Sequence, residues 1–145
     1  MIDYDFEKSV GYWVGLTKAT LEWALNSELA GTGITIRQVQ VLACLALGGE
    51  MIQTELADRI GVEASTLVRL LDRMERDGWI ERHDDPADRR KKGIRPTKKV
   101  QPHWDETVQR GERMEKRATK GLTRTELKNL KETLAKIRRN LGAEA

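Results

Sequence analysis

Two groups of residues in this 145-residue chain have types and spacing suited to chemistry, and both are basic. Ser65, Thr66, Arg69 and Arg73 recur at helical spacing on the side opposite Leu67, Leu70, Leu71 and Met74. Hydroxyls and free backbone N–H groups at a helix start suit phosphate oxygens. Arginine suits the N7 and O6 edge of guanine. Further along, Arg89, Arg90, Lys91, Lys92, Arg95, Lys98 and Lys99 follow one another with no acid among them. Such a run attracts a phosphate backbone. Arg90 fits a narrow minor groove, where negative potential concentrates. Asp88, just before it, is placed to hold its guanidinium in a bidentate pair. The plainer alternative for each group is a solvated charged surface.

The elements that must position these groups are legible in the pattern. Residues 53–74 read as a helix-turn-helix. Leu56, Ala57 and Ile60 form an apolar stripe, Gly61 supplies a turn with positive φ, and Val62 plugs it. A second helix then runs from about residue 64 to residue 77. Gly78 ends it, and Trp79-Ile80-Glu81-Arg82 alternates like a strand. Asp84-Asp85-Pro86 marks a turn, and residues 94–97 make a return strand. A helix-turn-helix followed by a basic-tipped hairpin is a winged helix. The fold predicted is mainly α with a small β wing.

The flanks read as dimerisation helices. Residues 6–30 form a long first helix whose apolar face, including Val10, Trp13, Val14, Leu16, Leu21 and Trp23, is too broad for one neighbour. After the break at Gly31-Thr32-Gly33, Thr35 and Gln38 make a capping box with Ile34 and Val39 as its staple. That second helix runs to about residue 47. A fifth helix follows Thr97 with a stripe of Val100, Trp104, Val108, Met114 and Ala118. Thr123 and Glu126 cap a last helix, stapled by Leu122 and Leu127, whose Leu127, Leu130, Leu134, Ile137 and Leu141 trace a heptad seam. The whole reads as one domain over residues 1–145, with dimerisation helices at 6–30 and 98–141 and a DNA lobe at 35–97. A homodimer with two-fold symmetry places two recognition helices about 34 Å apart on double-stranded DNA and so reads an inverted repeat.

Composition excludes several classes. Lysine and arginine total 26 against 23 acids, a formal charge of +3, so clustering rather than net charge carries the DNA signal. There is no long apolar run and no signal-peptide pattern, which points to a cytoplasmic protein with no membrane partner. Cys44 is the single cysteine, which rules out an internal disulfide, and it reads as a buried structural thiol. His83 and His103 lack a second ligand pattern, so no metal is expected; His83 stands at the wing's entrance where phosphate would pass, and His103 reads as a helix-surface residue. No phosphate loop, nucleophile elbow or paired-acid motif occurs, so neither catalysis nor a cofactor is expected.

Three motifs carry a family likeness. Asp85-Pro86-Ala87-Asp88-Arg89-Arg90-Lys91 resembles the wing signature of the MarR family of bacterial transcription regulators. Glu55-Leu56-Ala57-Asp58-Arg59-Ile60-Gly61-Val62 resembles the family's first DNA-lobe helix and turn. Leu70-Leu71-Asp72-Arg73-Met74-Glu75-Arg76-Asp77-Gly78-Trp79-Ile80 resembles the end of its recognition helix, closest to the SlyA-like branch. The resemblance implies a dimeric regulator, a repressor on this reading, with Arg69 touching a base and Asp88 holding Arg90. It also implies a pocket for an aromatic carboxylate or phenol, for which Trp13, Leu16, Val39 and Ala43 are the nominated residues; the competing role for Trp13 and Trp23 is dimer core. Pro96 departs from the family's usual leucine, and a proline there belongs at a strand's end or edge. Two rival readings are an architectural DNA-binding protein without an effector and a winged-helix module that binds protein.

Overall fold

Local capping decides where several helices begin. The computed structural model describes residues 5–84 and 92–143. The chain divides into two compact units, Met1–Gly111 and Glu112–Ala145. In the first, a 3-10 turn at Phe6–Lys8 precedes α1, Val10–Glu28. The helix starts later than its apolar pattern suggested because the Ser9 hydroxyl accepts the Tyr12 N–H and caps it there. α2, Ile36–Gly48, begins on the expected box: Thr35 accepts from the Gln38 N–H, and the Gln38 side chain accepts the Thr35 N–H at 2.8 Å. A cap of this kind is worth about 1 kcal/mol, and it lets the buried Gln38 amide oxygen bond fully.

α3, Gln53–Ile60, and α4, Ala64–Arg76, form the helix-turn-helix. Gly61 lies between them at φ +71°, where a side chain would be strained. Leu67, Leu70, Leu71 and Met74 of α4 are buried against Leu56 and Ala57 of α3 and Val41, Leu42 and Leu45 of α2 in one core cluster. Burying each such side chain stabilises the lobe by about 1.5–3 kcal/mol, which fixes the rotation of α4 and so dictates which face stays outside.

The wing strands are β2, Ile80–Asp84, and β3, Lys92–Pro96. A further strand, β1 at Met51–Ile52, pairs with β3 on its other side, giving an antiparallel sheet of order β1-β3-β2. The two-residue β1 carries too little pattern to be read from sequence; it is held by pairing Met51 with Ile94 and Ile52 with Gly93. Pro96 is the last residue of β3, paired with Ile80. The Thr97 N–H donates to the Trp79 carbonyl at 2.9 Å, so alternation leaves Pro96 at a non-bonded position toward β2. Its missing donor faces the side where β1 has already ended, and the wing's base stays regular.

A 3-10 turn at Lys98–Val100 leads into α5, Gln101–Ala118. Val100 is buried and Trp104 packs on the core, as expected. Val108 is exposed on α5, and its neighbour Thr107 takes the inward place. The Thr107 hydroxyl donates to the His103 carbonyl at 2.7 Å, so the polar side chain is buried satisfied. Arg110 donates to the Glu28 carbonyl at 2.6 Å, fastening α5 to the end of α1.

In the second unit, Thr123 and Glu126 form the expected capping box of α6, Arg124–Asn140. The two bonds from Thr123 hold the Glu126 carboxyl below its ordinary pKa. The seam residues Leu130, Leu134 and Leu141 are exposed, Leu130 by 52 %.

Candidate nucleic-acid interface

α4 separates its two faces cleanly. Ser65, Thr66, Arg69, Arg73 and Arg76 are all exposed, directly opposite the buried leucine face. Glu63 occupies the N-cap, and its side chain makes no cap bond, which leaves the first-turn N–H groups without a side-chain partner. The face therefore offers two hydroxyls, uncapped backbone donors and three guanidinium groups. It is shaped to donate hydrogen bonds to an acceptor-rich surface.

Two acids on the same helix complicate a purely basic picture. Asp72 and Glu75 both face Arg82 of β2: Arg82 donates to Asp72 at 2.7 Å and to Glu75 at 2.6 Å, and the Glu75 carboxylate also accepts the Arg82 N–H at 3.2 Å. The Arg82 side chain is only 18 % exposed. This arginine is spent on joining the wing to α4 rather than offered to a ligand. Sequence reasoning passed over it, although two acids three residues apart on a recognition helix were a signal that some cation had to answer them.

The described part of the wing is similarly self-paired. Lys92, nominated for DNA, forms an ion pair with Asp84 directly across the strands. Arg95 pairs with Glu81 at 2.5 Å in the same way. Lys99 donates to the Asp77 carbonyl at 2.8 Å, answering the negative end of α4. The Thr97 hydroxyl bonds the Gly78 carbonyl, closing the same helix end on the wing's root. Asp88, Arg89, Arg90 and Lys91 lie outside the described residues.

Both histidines have other occupations than those the sequence suggested. His83 reaches across Gly93, and its Nε2 lies 2.6 Å from the Glu50 carboxylate beside β1, not toward open solvent. Gly93 is needed there, because a Cβ would stand 2.4 Å from Glu50 and 2.8 Å from the His83 ring. His103 is not a plain surface residue: its ring packs on Trp79 with centroids 5.0 Å apart.

The four nominated pocket residues lie on two helices, two on α1 and two on α2, and differ in exposure. Trp13 is 54 % exposed, and its indole N–H already donates to the Glu7 carbonyl at 2.9 Å. Leu16 is exposed, whereas Val39 packs against the core and Ala43 is half-buried. A cavity of about 290 Å³ opens elsewhere, between α2, the end of β3 and the start of α5, and none of the four lines it. Cys44 is half-buried, and burial raises its thiol pKa against the opposing pull of Arg59, which disfavours the thiolate. Among the described residues no helix is long and apolar enough to cross a membrane.

Known proteins share this arrangement. A sequence model of the MarR family matches residues 34–92. The multiple antibiotic resistance protein MarR of Salmonella typhimurium is 33 % identical over 114 residues, covering 78 % of this chain and 79 % of its own length. A mutant MarR from E. coli, solved in complex with operator DNA, superposes with a TM-score of 0.78 at 26 % identity, over 93 % of this chain and 99 % of its own. CouR from Rhodococcus jostii, solved with p-coumaroyl-CoA bound, superposes with a TM-score of 0.78 at 26 % identity, over 93 % of this chain and 95 % of its own.

Proposed function

Since this chain belongs to the MarR family of transcription regulators, we propose that it acts as a homodimeric repressor on an inverted-repeat operator and is released by a small aromatic carboxylate or phenol. The family makes it a DNA-binding regulator and not an enzyme. Its α4 is the helix that enters the major groove, with Ser65 and Thr66 on phosphates and Arg69 and Arg73 toward base edges. The wing, from Asp88 to Lys92, lies along the neighbouring minor groove. There Arg90 is inserted and Asp88 holds it.

The observation that carries the dimer is unpartnered apolar surface. Trp13 and Trp23 of α1 are 54 % and 71 % exposed, and Val10, Val14, Leu16 and Leu21 lie bare beside them. In α6, Leu130, Leu134 and Leu141 of the seam are exposed as well. Monomers rarely leave an apolar helix face as large as that of α1 in water. A second copy covers it, and the two-fold axis brings the recognition helices about one DNA turn apart. Release follows if the effector prefers a spacing of the lobes that does not fit the operator, because a ligand acts only through its differential affinity. CouR, whose structure holds p-coumaroyl-CoA, supports a small-molecule control.

Sedimentation of the full chain, with gel shifts on inverted repeats from its own promoter region, tests this reading. A dimer that binds one repeat per two chains, and loses it on adding salicylate, is the expected result. A stable monomer at micromolar concentration would refute the dimer. Operator affinity that no aromatic acid or phenol alters would leave the architectural alternative standing.

A further inference from the structure

Charge is divided unevenly between the two units. Residues 112–145 carry ten lysines and arginines against five acids. Residues 1–111 carry sixteen against eighteen, although they include the recognition helix and the wing. Most cations of the second unit stand on α6. Arg124, Lys131 and Arg138 recur every seven residues along one flank of the leucine seam, and Lys128, Lys136 and Arg139 lie behind it. All six are exposed. Lys128 approaches Glu132 at 3.7 Å, and the side chains of the other five make no ion pair or hydrogen bond among the described residues. Glu132 is the single acid on this side of the helix.

Helix stability does not account for this face. The helix dipole favours Arg138 and Arg139 in the last turn but disfavours Arg124 in the first. Pairing along the helix needs acids three or four residues away, and Glu132 alone supplies one. The other residues on this side are Thr125, Asn129, Thr133, Ala135 and Asn140, with no aromatic or large apolar side chain. Protein interfaces are anchored by such side chains, and helices that lie on membranes bury an apolar face. The apolar face of α6 is the seam, which the dimer proposed above covers. A face of cations alone fits a uniform polyanion. From Arg124 to Arg139 it extends about 22 Å, the length of roughly six base pairs. We propose that the basic side of α6 is a second, sequence-independent contact for duplex DNA, which holds phosphates of a duplex other than the one on α4. One dimer so equipped bridges two stretches of DNA. The proposal rests on the dimer reading only for the covering of the seam.

The test saturates the full-length protein with an unlabelled operator duplex, so that α4 is occupied, and then adds a fluorescent random duplex of equal length. Its anisotropy should rise with a dissociation constant of about 10–100 µM at physiological salt and tighten steeply as salt falls. Lys128→Gln, Lys136→Gln and Arg139→Gln together should weaken this second binding at least about tenfold. They should lower its salt slope by about one for each cation that meets a phosphate, and leave operator affinity unchanged. Lys128→Arg with Lys136→Arg should keep the parental affinity. Glu132→Gln, which removes the one acid, should tighten the second duplex about twofold. No second binding at low salt, equal binding by the triple Gln variant, or capture of phosphatidylserine vesicles in place of the duplex would overturn the proposal. Sedimentation reads the dimer separately. A monomeric chain that still takes the second duplex upholds this surface and defeats the dimer, and a dimer that takes none does the reverse.

Discussion

Replacing Arg82 with alanine should weaken the lobe and DNA binding together, without changing how binding depends on salt. The side chain bridges Asp72 and Glu75 at 2.7 and 2.6 Å, which ties β2 to the recognition helix. Hydrogen bonds to charged groups are worth about 1.5–3 kcal/mol each when shielded, but exposed pairs fall to about 0.2–1 kcal/mol. Here the arginine is 18 % exposed while Asp72 and Glu75 are 57 % and 40 % exposed, so the pair of contacts belongs between those limits. A total of about 1–2 kcal/mol is the working figure, and in urea that moves the midpoint by roughly 0.5–1 M. A double-mutant cycle of Arg82→Ala with Asp72→Ala isolates the coupling from the loss of the arginine's packing. The salt series then separates two roles. An arginine on phosphate accounts for about one counterion released per subunit on binding, so its removal lowers the salt slope by that much, whereas removing an arginine held by Asp72 and Glu75 leaves the slope unchanged. An unchanged urea midpoint, or a salt slope lowered by one charge per subunit, would refute the bridging role.

Other substitutions test other parts of the account. Asp88→Ala should weaken operator binding in the same direction as Arg90→Ala, although it removes a negative charge near phosphate; tighter binding at fixed salt would show that the aspartate does not hold Arg90. Acid should loosen the start of α6: the Glu126 carboxyl is held below its ordinary pKa by Thr123, so its stabilisation is present above the unfolded pKa and disappears as pH falls through the folded one. Glu126→Gln should remove that part of the acid dependence, and a pH profile of helicity identical to the parent's would contradict the assignment.

Local chemistry was legible in the sequence, and long-range pairing was not. Both capping boxes, Thr35 with Gln38 and Thr123 with Glu126, involve residues three apart, so reading them needs no tertiary structure. The outward face of α4 followed from the period of Leu67, Leu70, Leu71 and Met74. By contrast β1 is two residues long and exists through pairing with a strand some forty positions away. The Glu50–His83 contact over Gly93 has the same origin. The burial of Thr107 was not legible either, because helix phase decides burial and a hydroxyl that bonds its own helix can go inside. The basic run looked free because its partners, Asp84, Glu81 and the Asp77 carbonyl, come from other stretches of chain. The cavity under Lys98 and Trp104 draws its walls from three elements, and no single window of sequence displays it.

The central claim is that the exposed face of α4 reads bases. Arg69 is the residue on which it turns, and the measurement is the affinity of Arg69→Ala for the operator and for random DNA of equal length at one salt concentration. Loss of about 1–3 kcal/mol on the operator, with little change on random DNA, is the predicted result, because a base-edge contact contributes only where the right base is present. An equal loss on both DNAs would make Arg69 a phosphate contact, and no loss on either would remove α4 from the recognition surface.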